Sequence, residues 1–278
     1  MANRLFKVGH LCAASIENNV KLIYPHFNDY RKYFQATRDN DFNGYKISLD
    51  FHDNPTLNGI VKSGFLAFNY LTKYLIRSSF LHRNFTGSGR ELDLSDPAVK
   101  KILRSKLTIL NGWNIRDRNS FNKHRDKIRE LFQPASEYRD NIDNFFKSLG
   151  KEPGFLVGVH IRHGDYQKWM EGKYYYPFET YAMICRQIEA GLAAQDTPCR
   201  FVIFSDDNVD LAVFEELDCV KGPGKAIEDL YSMARCNLIV GPPSTFSMWA
   251  SFYGSVPLYH IENPERKVSL RDFKVHSE

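Results

Sequence analysis

Short apolar runs alternate with stretches of helical periodicity from about residue 150 onward. The apolar runs predict strands at residues 155–159, 201–204 and 238–240. Helical spacing predicts helices at residues 176–193, 227–234 and 246–253. The run Val256-Pro257-Leu258-Tyr259 predicts a fourth strand at an edge of the sheet, where proline is tolerated. Apolar strands joined by helices indicate a parallel sheet covered on both faces, so this part of the chain is predicted to be Rossmann-like.

The first half of the chain has a less regular pattern. Helical spacing predicts helices at residues 4–18, 57–84, 120–132 and 137–148, and apolar runs predict strands at residues 21–25 and 107–110. A helix followed by a strand usually comes after an earlier strand, so the N-terminal domain is predicted to lack its first strand. The polar residues 135–152 mark a boundary, which gives an N-terminal domain at 1–140 and a C-terminal domain at 150–278.

Composition and charge narrow the class of protein. The chain has 278 residues, 43% of them apolar, which is enough for a packed core. A net charge of +4 with interspersed signs suits an anionic small ligand or a membrane surface at least as well as nucleic acid. Five cysteines, an odd number without a C-x-x-C pair, favour a reducing compartment. With no convincing signal peptide or spanning segment, the protein is predicted to be cytoplasmic, with peripheral contact to the inner face of the membrane as an open alternative.

Three polar segments follow the predicted strands and carry the candidate chemistry. Ligands of open parallel sheets bind outside the carboxyl ends of the strands. The three segments that fall there are His160-Ile161-Arg162-His163-Gly164-Asp165, Ser205-Asp206-Asp207 and Gly241-Pro242-Pro243-Ser244-Thr245. The topology is therefore expected to bring them into one crevice.

Each segment has a use for a nucleotide diphosphate. Arg162 offers a rigid fork of donors that matches phosphate oxygens. Ser244, Thr245 and the free N–H groups at the start of the next helix form a second anion site. The carboxylates that could accept hydrogen bonds from ribose hydroxyls or from a base with an N–H pair, such as guanine, are Asp206, Asp207 and Asp229.

Each feature also has a purely structural explanation. Arg162 could form a salt bridge with a neighbouring aspartate, and Ser205 and Ser244 could cap helices. His160 and His163 beside a strand could be structural. The occurrence of all three segments at one edge of the sheet favours the nucleotide site.

These segments resemble a known family. His160-Ile161-Arg162-His163-Gly164-Asp165-Tyr166 resembles the H-x-R-R-G-D-Y motif of the α-1,2-fucosyltransferases, which is related to a loop of the α-1,6- and protein O-fucosyltransferases. His163 stands where the α-1,2 motif has its second arginine. Three further segments are similar to motifs of the same family: Phe204-Ser205-Asp206-Asp207, residues 228–236 and residues 244–250. At the N-terminus, Asn3 and Arg4 lie in a segment that resembles the family's L-G-N-Q-L-F on the acceptor side.

The resemblance implies a GT-B architecture, with two Rossmann-like domains facing across a cleft. It also implies inverting transfer of fucose from GDP-fucose to a hydroxyl of a glycan acceptor, in surface polysaccharide or O-antigen synthesis, without a metal or other cofactor. By motif position, Arg162 would bind the β-phosphate of the donor, and Thr245, Phe246 and Ser247 would also lie at its phosphates. His160 and Asp229 would lie at the nucleoside. Ser205 and Asp206 would lie near the ribose or guanine.

The general base is left open. Asp165 and Glu171 are the carboxylates nearest to the motif, although Asp165 could instead position Arg162. His163 is a further hypothesis for the base. The triplet Asp39-Asn40-Asp41 superficially resembles a metal-binding D-x-D, but it lies in a polar loop of the first half, so no metal is assigned.

Three other functions remain as alternatives. The protein could transfer another nucleotide-activated sugar, or bind a nucleotide without catalysis. The weakest alternative is nucleic-acid binding by the basic segment 123–129, which the mixed charges and the lack of a known motif disfavour.

Overall fold

A computed structural model describes residues 1–52, 54–71, 81–85, 91–150 and 154–277. The chain divides into two compact units, Asn3–Ala135 and Ser136–Ser277. Each unit is described by itself below.

The first unit combines short helices with short strand pairs. Its helices are α1 (Ala2–Asn18), α2 (Gln35–Asp39), α3 (Pro55–Leu71), α4 (Pro97–Ser105), α5 (Arg118–Lys123) and α6 (Arg125–Leu131). Its strands are β1 (Leu22–Ile23), β2 (Ile47–Ser48), β3 (Leu81–Phe85), β4 (Leu92–Asp93), β5 (Leu107–Asn111) and β6 (Ile115–Arg116). Among the described residues, these strands form three separate parallel pairs, β1-β2, β3-β5 and β4-β6. A Rossmann-like fold for this unit therefore stays a prediction.

Two helix predictions in the first unit need correction. Residues 81–85, predicted as the end of a helix, form β3 instead. Five residues of β3 pair in parallel with β5, and this ladder supplies the backbone hydrogen bonds that a helix would have formed internally. The predicted basic helix at 120–132 is two helices, α5 and α6, with His124 between them. Residues 72–80 of the predicted 57–84 helix lie outside the described residues.

Packing in the first unit rests on buried aromatic side chains and on one face of α1. The rings of Phe27, Phe34 and Phe132 are fully buried, and Phe34 meets Phe132 edge to face at 5.5 Å. Such pairs contribute about 0.5–1.5 kcal/mol beyond burial of their area. Leu5, Val8 and Cys12 of α1 are buried at the predicted helical spacing, so the prediction of an N-terminal helix is confirmed.

The second unit is an α/β fold around one sheet. Its helices are α7 (Ser136–Ser148), α8 (Phe178–Ala193), α9 (Ala226–Met233) and α10 (Thr245–Gly254). Its strands are β7 (Phe155–Ile161), β8 (Cys199–Ser205), β9 (Cys219–Lys221), β10 (Leu238–Gly241), β11 (Pro257–His260) and β12 (Lys274–Val275). The six strands have the order β12-β11-β10-β7-β8-β9.

The predicted parallel sheet is confirmed. All neighbours pair in parallel except β11 and β12, which are antiparallel. Residues 156–161 of the central strand β7 are buried in succession, because both faces of the sheet are covered. The predicted fourth strand is present as β11, but its predicted position at the edge of the sheet is wrong, since β12 pairs outside it. The three-residue strand β9 at the opposite edge was not predicted.

Close packing at the carboxyl ends of the central strands positions the candidate site. A Cβ atom on Gly241, the last residue of β10, would lie 2.6 Å from the carbonyl oxygen of His160 on β7. No other residue fits there without moving β7, so glycine sets the spacing between these two strand ends.

No helix in the described ranges is long and apolar enough to cross a membrane. The five cysteines are all free, and three of them, Cys12, Cys185 and Cys236, are buried.

Candidate nucleotide-binding site

Arg162 follows the last residue of β7 and is held by two carboxylates. Its Nε donates to Asp165 Oδ1 at 2.9 Å, and its Nη1 lies 3.1 Å from Asp206 Oδ2. The side chain remains 34% exposed. The salt-bridge explanation of this arginine is therefore correct, but it does not exclude ligand binding. Two carboxylates fix the plane of the guanidinium while part of its surface stays open to an anion.

Asp206 also fixes the loop that carries Arg162. Its Oδ1 accepts a hydrogen bond from the backbone N–H of His163 at 2.9 Å. A Cβ atom on Gly164 would lie 2.6 Å from Asp206 Oδ2, so glycine permits this close approach. The loop after β8 thus orients the loop after β7.

His160 is a buried and uncharged imidazole at the end of β7. Burial, with smaller effects from the charges of Arg162 and His260, lowers the pKa of His160 to about 3. The ring stacks on Phe246 at 5.2 Å with an interplanar angle of 26°. Its Nδ1 is buried and has no hydrogen-bond partner among the described residues. A neutral ring nitrogen of this kind is available to a ligand.

Asp229 is a buried carboxylate in the first turn of α9. Its Oδ1 accepts a hydrogen bond from the backbone N–H of Gly224 at 2.8 Å. Burial, partly offset by this hydrogen bond, raises the pKa of Asp229 to about 6. The carboxylate is therefore ionised at neutral pH in surroundings that solvate it poorly, which favours a ligand that brings hydrogen-bond donors.

One cavity of about 150 Å³ lies where these groups meet. It is lined by His160, Arg162, Phe204, Ser205, Asp206, Gly224, Ala226, Asp229 and Phe246. Six of these residues were predicted site residues: His160, Arg162, Ser205, Asp206, Asp229 and Phe246. The cavity is smaller than pockets for whole drug-sized ligands, which are about 300–1,000 Å³, so it fits a part of a nucleotide. An aromatic ring, a buried carboxylate and an arginine are suited to a base and an adjoining phosphate.

The loop after β9 was missed by sequence reasoning. Gly224 and Ala226 line the cavity, and Gly224 supplies the N–H group that holds Asp229. Its backbone φ of +86° lies in the left-handed region that favours glycine. The turn residues Gly222-Pro223-Gly224 were the signal for this loop, but β9 was too short to be recognised before them.

The turn before α10 is a helix N-terminus attached to the same site. Ser244 is the N-cap, with its Oγ accepting from the backbone N–H of Phe246 at 3.2 Å. Ser247 Oγ donates to the Ser244 carbonyl oxygen at 3.0 Å. Tyr166 Oη donates to the Pro243 carbonyl oxygen at 2.5 Å, which links the Arg162 loop to this turn. Ser244, Thr245 and Ser247 do not line the cavity, but they adjoin Phe246, which does.

His163 belongs to the protein interior and not to the cavity. Its Nε2 lies 2.7 Å from the Tyr176 carbonyl oxygen, and its Nδ1 lies 3.2 Å from Asp207 Oδ2. The ring packs between Tyr175 at 4.5 Å and Phe178 at 4.7 Å. Both nitrogens are therefore occupied, which argues against His163 as the general base. Asp207 is likewise turned to His163 and does not line the cavity.

We expect His163→Ala to lower the free energy of unfolding by about 2–4 kcal/mol, because it leaves a void between two rings and a buried carbonyl oxygen without its donor. The midpoint of urea unfolding measures this loss, and the same substitution at the exposed His52 is the control. Loss of turnover in His163→Ala at unchanged stability would contradict a structural role.

The remaining predicted residues lie outside the cavity. Asp165 is largely exposed and pairs with Arg162. Glu171 is exposed and adopts a left-handed backbone with φ of 59°. Asn3 and Arg4 belong to the first unit, where Arg4 Nη1 lies 3.1 Å from Asp29 Oδ2. In the described ranges, no group of three or more His, Cys, Asp or Glu side chains is arranged to hold a metal ion.

Several solved fucosyltransferase structures have a fold similar to that of this chain. POFUT1 in complex with GDP has a TM-score of 0.56 at 13% identity, covering 94% of this chain and 95% of that one. A mutant of Arabidopsis thaliana FUT1 in complex with GDP has a TM-score of 0.55 at 13% identity, covering 99% of this chain and 71% of that one. NodZ α-1,6-fucosyltransferase soaked with GDP-fucose has a TM-score of 0.52 at 16% identity, covering 96% and 94%. The chain therefore has an α/β fold similar to the GT-B fucosyltransferases.

The sequence identifies the family within that class. The profile of glycosyl transferase family 11 matches residues 72–265, and the chain belongs to this family. This confirms the resemblance to α-1,2-fucosyltransferases found from the motifs.

Curated relatives match only in part. The galactoside 2-alpha-L-fucosyltransferase SEC1 of Bos taurus is 26% identical over 149 residues, which are 50% of this chain and 40% of that protein. The galactoside alpha-(1,2)-fucosyltransferase 1 of Saimiri sciureus is 24% identical over 187 residues, which are 62% of this chain and 47% of that protein. The chain thus spans less than half the length of these relatives.

Proposed function

We propose that this protein transfers fucose from GDP-fucose to a hydroxyl group of a glycan acceptor, forming an α-1,2 linkage with inversion at the anomeric carbon. The observation that carries the proposal is the cavity that joins Arg162, His160 and Asp229 at the carboxyl ends of the parallel strands. Further support comes from the family, from relatives named as galactoside fucosyltransferases, and from structures of similar fold in complex with GDP or GDP-fucose.

In the proposed reaction, the acceptor oxygen forms a bond to C1 of fucose while the bond from C1 to the β-phosphate oxygen breaks. GDP leaves with the electron pair of that bond, so negative charge grows on the diphosphate. Arg162, already oriented by Asp165 and Asp206, offers N–H donors to this charge. Donors that are fixed before the reaction stabilise developing charge without reorganisation.

The donor-binding residues have distinct proposed roles. The carboxylate of Asp229 accepts the paired N–H groups of guanine, and the neutral His160 contacts the nucleoside beside Phe246. Ser205 lies on the ribose side. The N-terminus of α10, with Ser244, Thr245 and Ser247, provides N–H groups and a favourable dipole for the phosphates.

The acceptor proton requires a base, and we propose Glu171 for this role. Asp165 is the other carboxylate near the motif, but it accepts from Arg162 and is better placed to orient that side chain. Glu171 has a surface position and no such partner within the arginine loop, which supports its availability as a proton acceptor.

The wider organisation is proposed from the family. The second unit would be the donor domain and the first unit the acceptor domain of a two-domain GT-B enzyme, with Asn3 and Arg4 on the acceptor side. Similarity to POFUT1 over 94% of the chain supports this division. We further propose a cytoplasmic enzyme of surface polysaccharide or O-antigen synthesis, in peripheral contact with the membrane, which free cysteines and a charge of +4 support.

A panel of nucleotides tests the donor assignment. We expect GDP and GDP-fucose to raise the melting temperature, and UDP and ADP to have little effect, because only guanine presents an N–H pair to Asp229. At a ligand concentration one hundred times Kd, the stabilisation is about 2.7 kcal/mol. Equal stabilisation by UDP-sugars would favour a transferase of another sugar. Release of GDP from GDP-fucose with lactose as a galactoside acceptor then separates an enzyme from an inactive binding module.

A further inference from the structure

Within the second unit, most of the exposed large apolar side chains lie in the loop that follows the arginine motif. Trp169 is 43% exposed and Met170 is 52% exposed, and Tyr175 is also exposed. In the described part of the second unit, the other exposed large hydrophobic side chains are Met183 and Val275. Trp169 and Met170 are neighbours in the chain, and exposed apolar side chains that lie together are candidates for a ligand or partner site.

A row of aromatic rings connects this surface to the donor site. The centroid of Trp169 lies 4.8 Å from that of Tyr166 and 5.6 Å from that of Tyr174. Tyr166 is anchored by its hydrogen bond to Pro243 and has the Arg162 guanidinium carbon 5.9 Å from its ring centroid. The ring of Tyr166 therefore lies between Trp169 and Arg162.

The backbone of the loop has an uncommon conformation directly after Trp169. Met170 and Glu171 are consecutive non-glycine residues with φ of 48° and 59°. Each such residue costs on the order of 1–3 kcal/mol and persists where the surrounding structure requires it. The chain thus holds Trp169, Met170 and Glu171 in a defined shape.

We propose that Trp169 and Met170 form the binding surface for a pyranose ring of the glycan acceptor. This inference rests on the proposed transfer reaction and adds an acceptor subsite on the second unit. One face of a pyranose carries mainly C–H groups and packs on the electron-rich face of an aromatic ring. The exposed side chains of Lys168, Glu171 and Lys173 border the apolar pair and can bond to the hydroxyls at the rim of the sugar. A sugar that binds here lies beside the candidate base.

Tryptophan fluorescence tests the binding surface without knowledge of the natural acceptor. The chain has three tryptophans, of which Trp249 is fully buried and Trp113 is exposed. In Trp113→Phe, the emission of exposed tryptophan comes from Trp169. With GDP present, this variant is titrated with methyl β-galactoside, methyl β-glucoside, methyl α-mannoside, N-acetylglucosamine and lactose. We expect at least one of these sugars to change the emission, and the double variant Trp113→Phe/Trp169→Phe to show no change.

Kinetics with the responding sugar supply a second measurement. We expect Trp169→Ala to raise the acceptor KM up to about tenfold, the range of one aromatic contact, and to leave the Kd of GDP unchanged. Trp169→Phe should retain most of the affinity. Met183→Ala, another exposed apolar residue of the same unit, is the matched control and should leave both constants unchanged.

The outcomes separate this inference from the proposed function. Titration up to sugar concentrations on the order of 100 mM would reveal a Kd of several millimolar. If no sugar changes the emission in this range, the subsite is overturned. If the emission changes with the protein concentration and not with the sugar concentration, the surface serves self-association, and the sugar subsite is likewise overturned. A sugar response in a protein that neither binds GDP nor uses GDP-fucose supports the subsite while the proposed function fails.

Discussion

Replacing Arg162 by alanine should reduce kcat for transfer by at least about 10²–10³-fold, the loss seen when one fixed donor to a developing charge is removed. Arg162 is the cationic side chain that lines the candidate nucleotide cavity. A lysine in its place keeps the charge but lacks the planar fork that two carboxylates orient here, so Arg162→Lys should also lose most of the activity. Steady-state kinetics with GDP-fucose measure both effects.

The fold should survive this substitution, because Arg162 is one-third exposed and its ion pairs are weak contributors to stability. Arg186→Ala is the matched control: Arg186 is an exposed arginine of the same unit that pairs with Glu216 at 3.1 Å, away from the cavity. It should keep its activity. Near-normal turnover in Arg162→Ala would remove the basis of the proposed mechanism.

In the second unit, the strands that could be predicted from the sequence are those that are buried on both faces of the sheet. β7, β8 and β10 each contain a continuous apolar run, because the side chains of that run meet covering layers above and below the sheet. β9 has only three residues, one of them the exposed Lys221, and its position depends on pairing with β8. Such a strand has no local pattern of its own.

Non-local pairing also explains the error in the first unit. The segment at 81–85 has a sequence compatible with a helix, and what makes it a strand is its register with β5, more than twenty residues later. Local periodicity carries no information about such a partner. A helix was therefore predicted where the tertiary structure forms a strand.

The candidate site shows the same division between local and spatial information. Arg162, Asp206 and Asp229 could be found from their positions after strands and from the family motifs. The sequence did not predict that Asp206 orients Arg162, because this contact joins distant parts of the chain. It did not predict that Tyr175 and Phe178 enclose His163, because these residues lie in or next to a loop without periodicity. The motifs predict which segments belong to the site, and the packing determines which of their side chains face the cavity.

Asp229→Asn should make the protein more stable at neutral pH and at the same time impair nucleotide binding. Burial raises the pKa of Asp229 from 3.8 to about 6. Between these two values the folded state holds more protons than the unfolded state, so stability falls as pH rises, and it stays lowered above pH 6. At 1.36 kcal/mol per unit, the ionised carboxylate costs about 2–3 kcal/mol at neutral pH. Asparagine removes this cost and can still accept the Gly224 N–H.

Unfolding curves at two pH values test the stability effect. The gain in Asp229→Asn should be nearly complete at pH 7.5 and should disappear near pH 4, where the carboxyl group of both states becomes protonated. The opposite dependence would mean that the carboxylate is stabilised in the folded protein and would remove the argument that it awaits a ligand.

Nucleotide binding should change in the opposite direction. In the proposed complex the ionised carboxylate would accept both N–H groups of guanine, whereas the asparagine amide would offer one acceptor and one unmatched donor group. Because hydrogen bonds to charged groups contribute about 1.5–3 kcal/mol each, GDP affinity in Asp229→Asn should fall at least about tenfold to a hundredfold at pH 7.5. In the unaltered protein, affinity should rise with pH through about 6 as Asp229 ionises. Titration calorimetry measures both.

Glu228→Gln provides the matched control on the same helix. Glu228 is the adjacent buried carboxylate, but it accepts from Asn141 at 2.7 Å and from Lys225 at 3.2 Å and does not line the cavity. Its substitution should leave GDP affinity unchanged. A variant of Asp229 that is more stable yet binds GDP normally would show that the buried charge has another purpose. If Asp229 binds guanine, its ionised carboxylate is unfavourably buried until the ligand arrives. Asp229→Asn should then gain stability and lose GDP affinity, and Glu228→Gln should do neither.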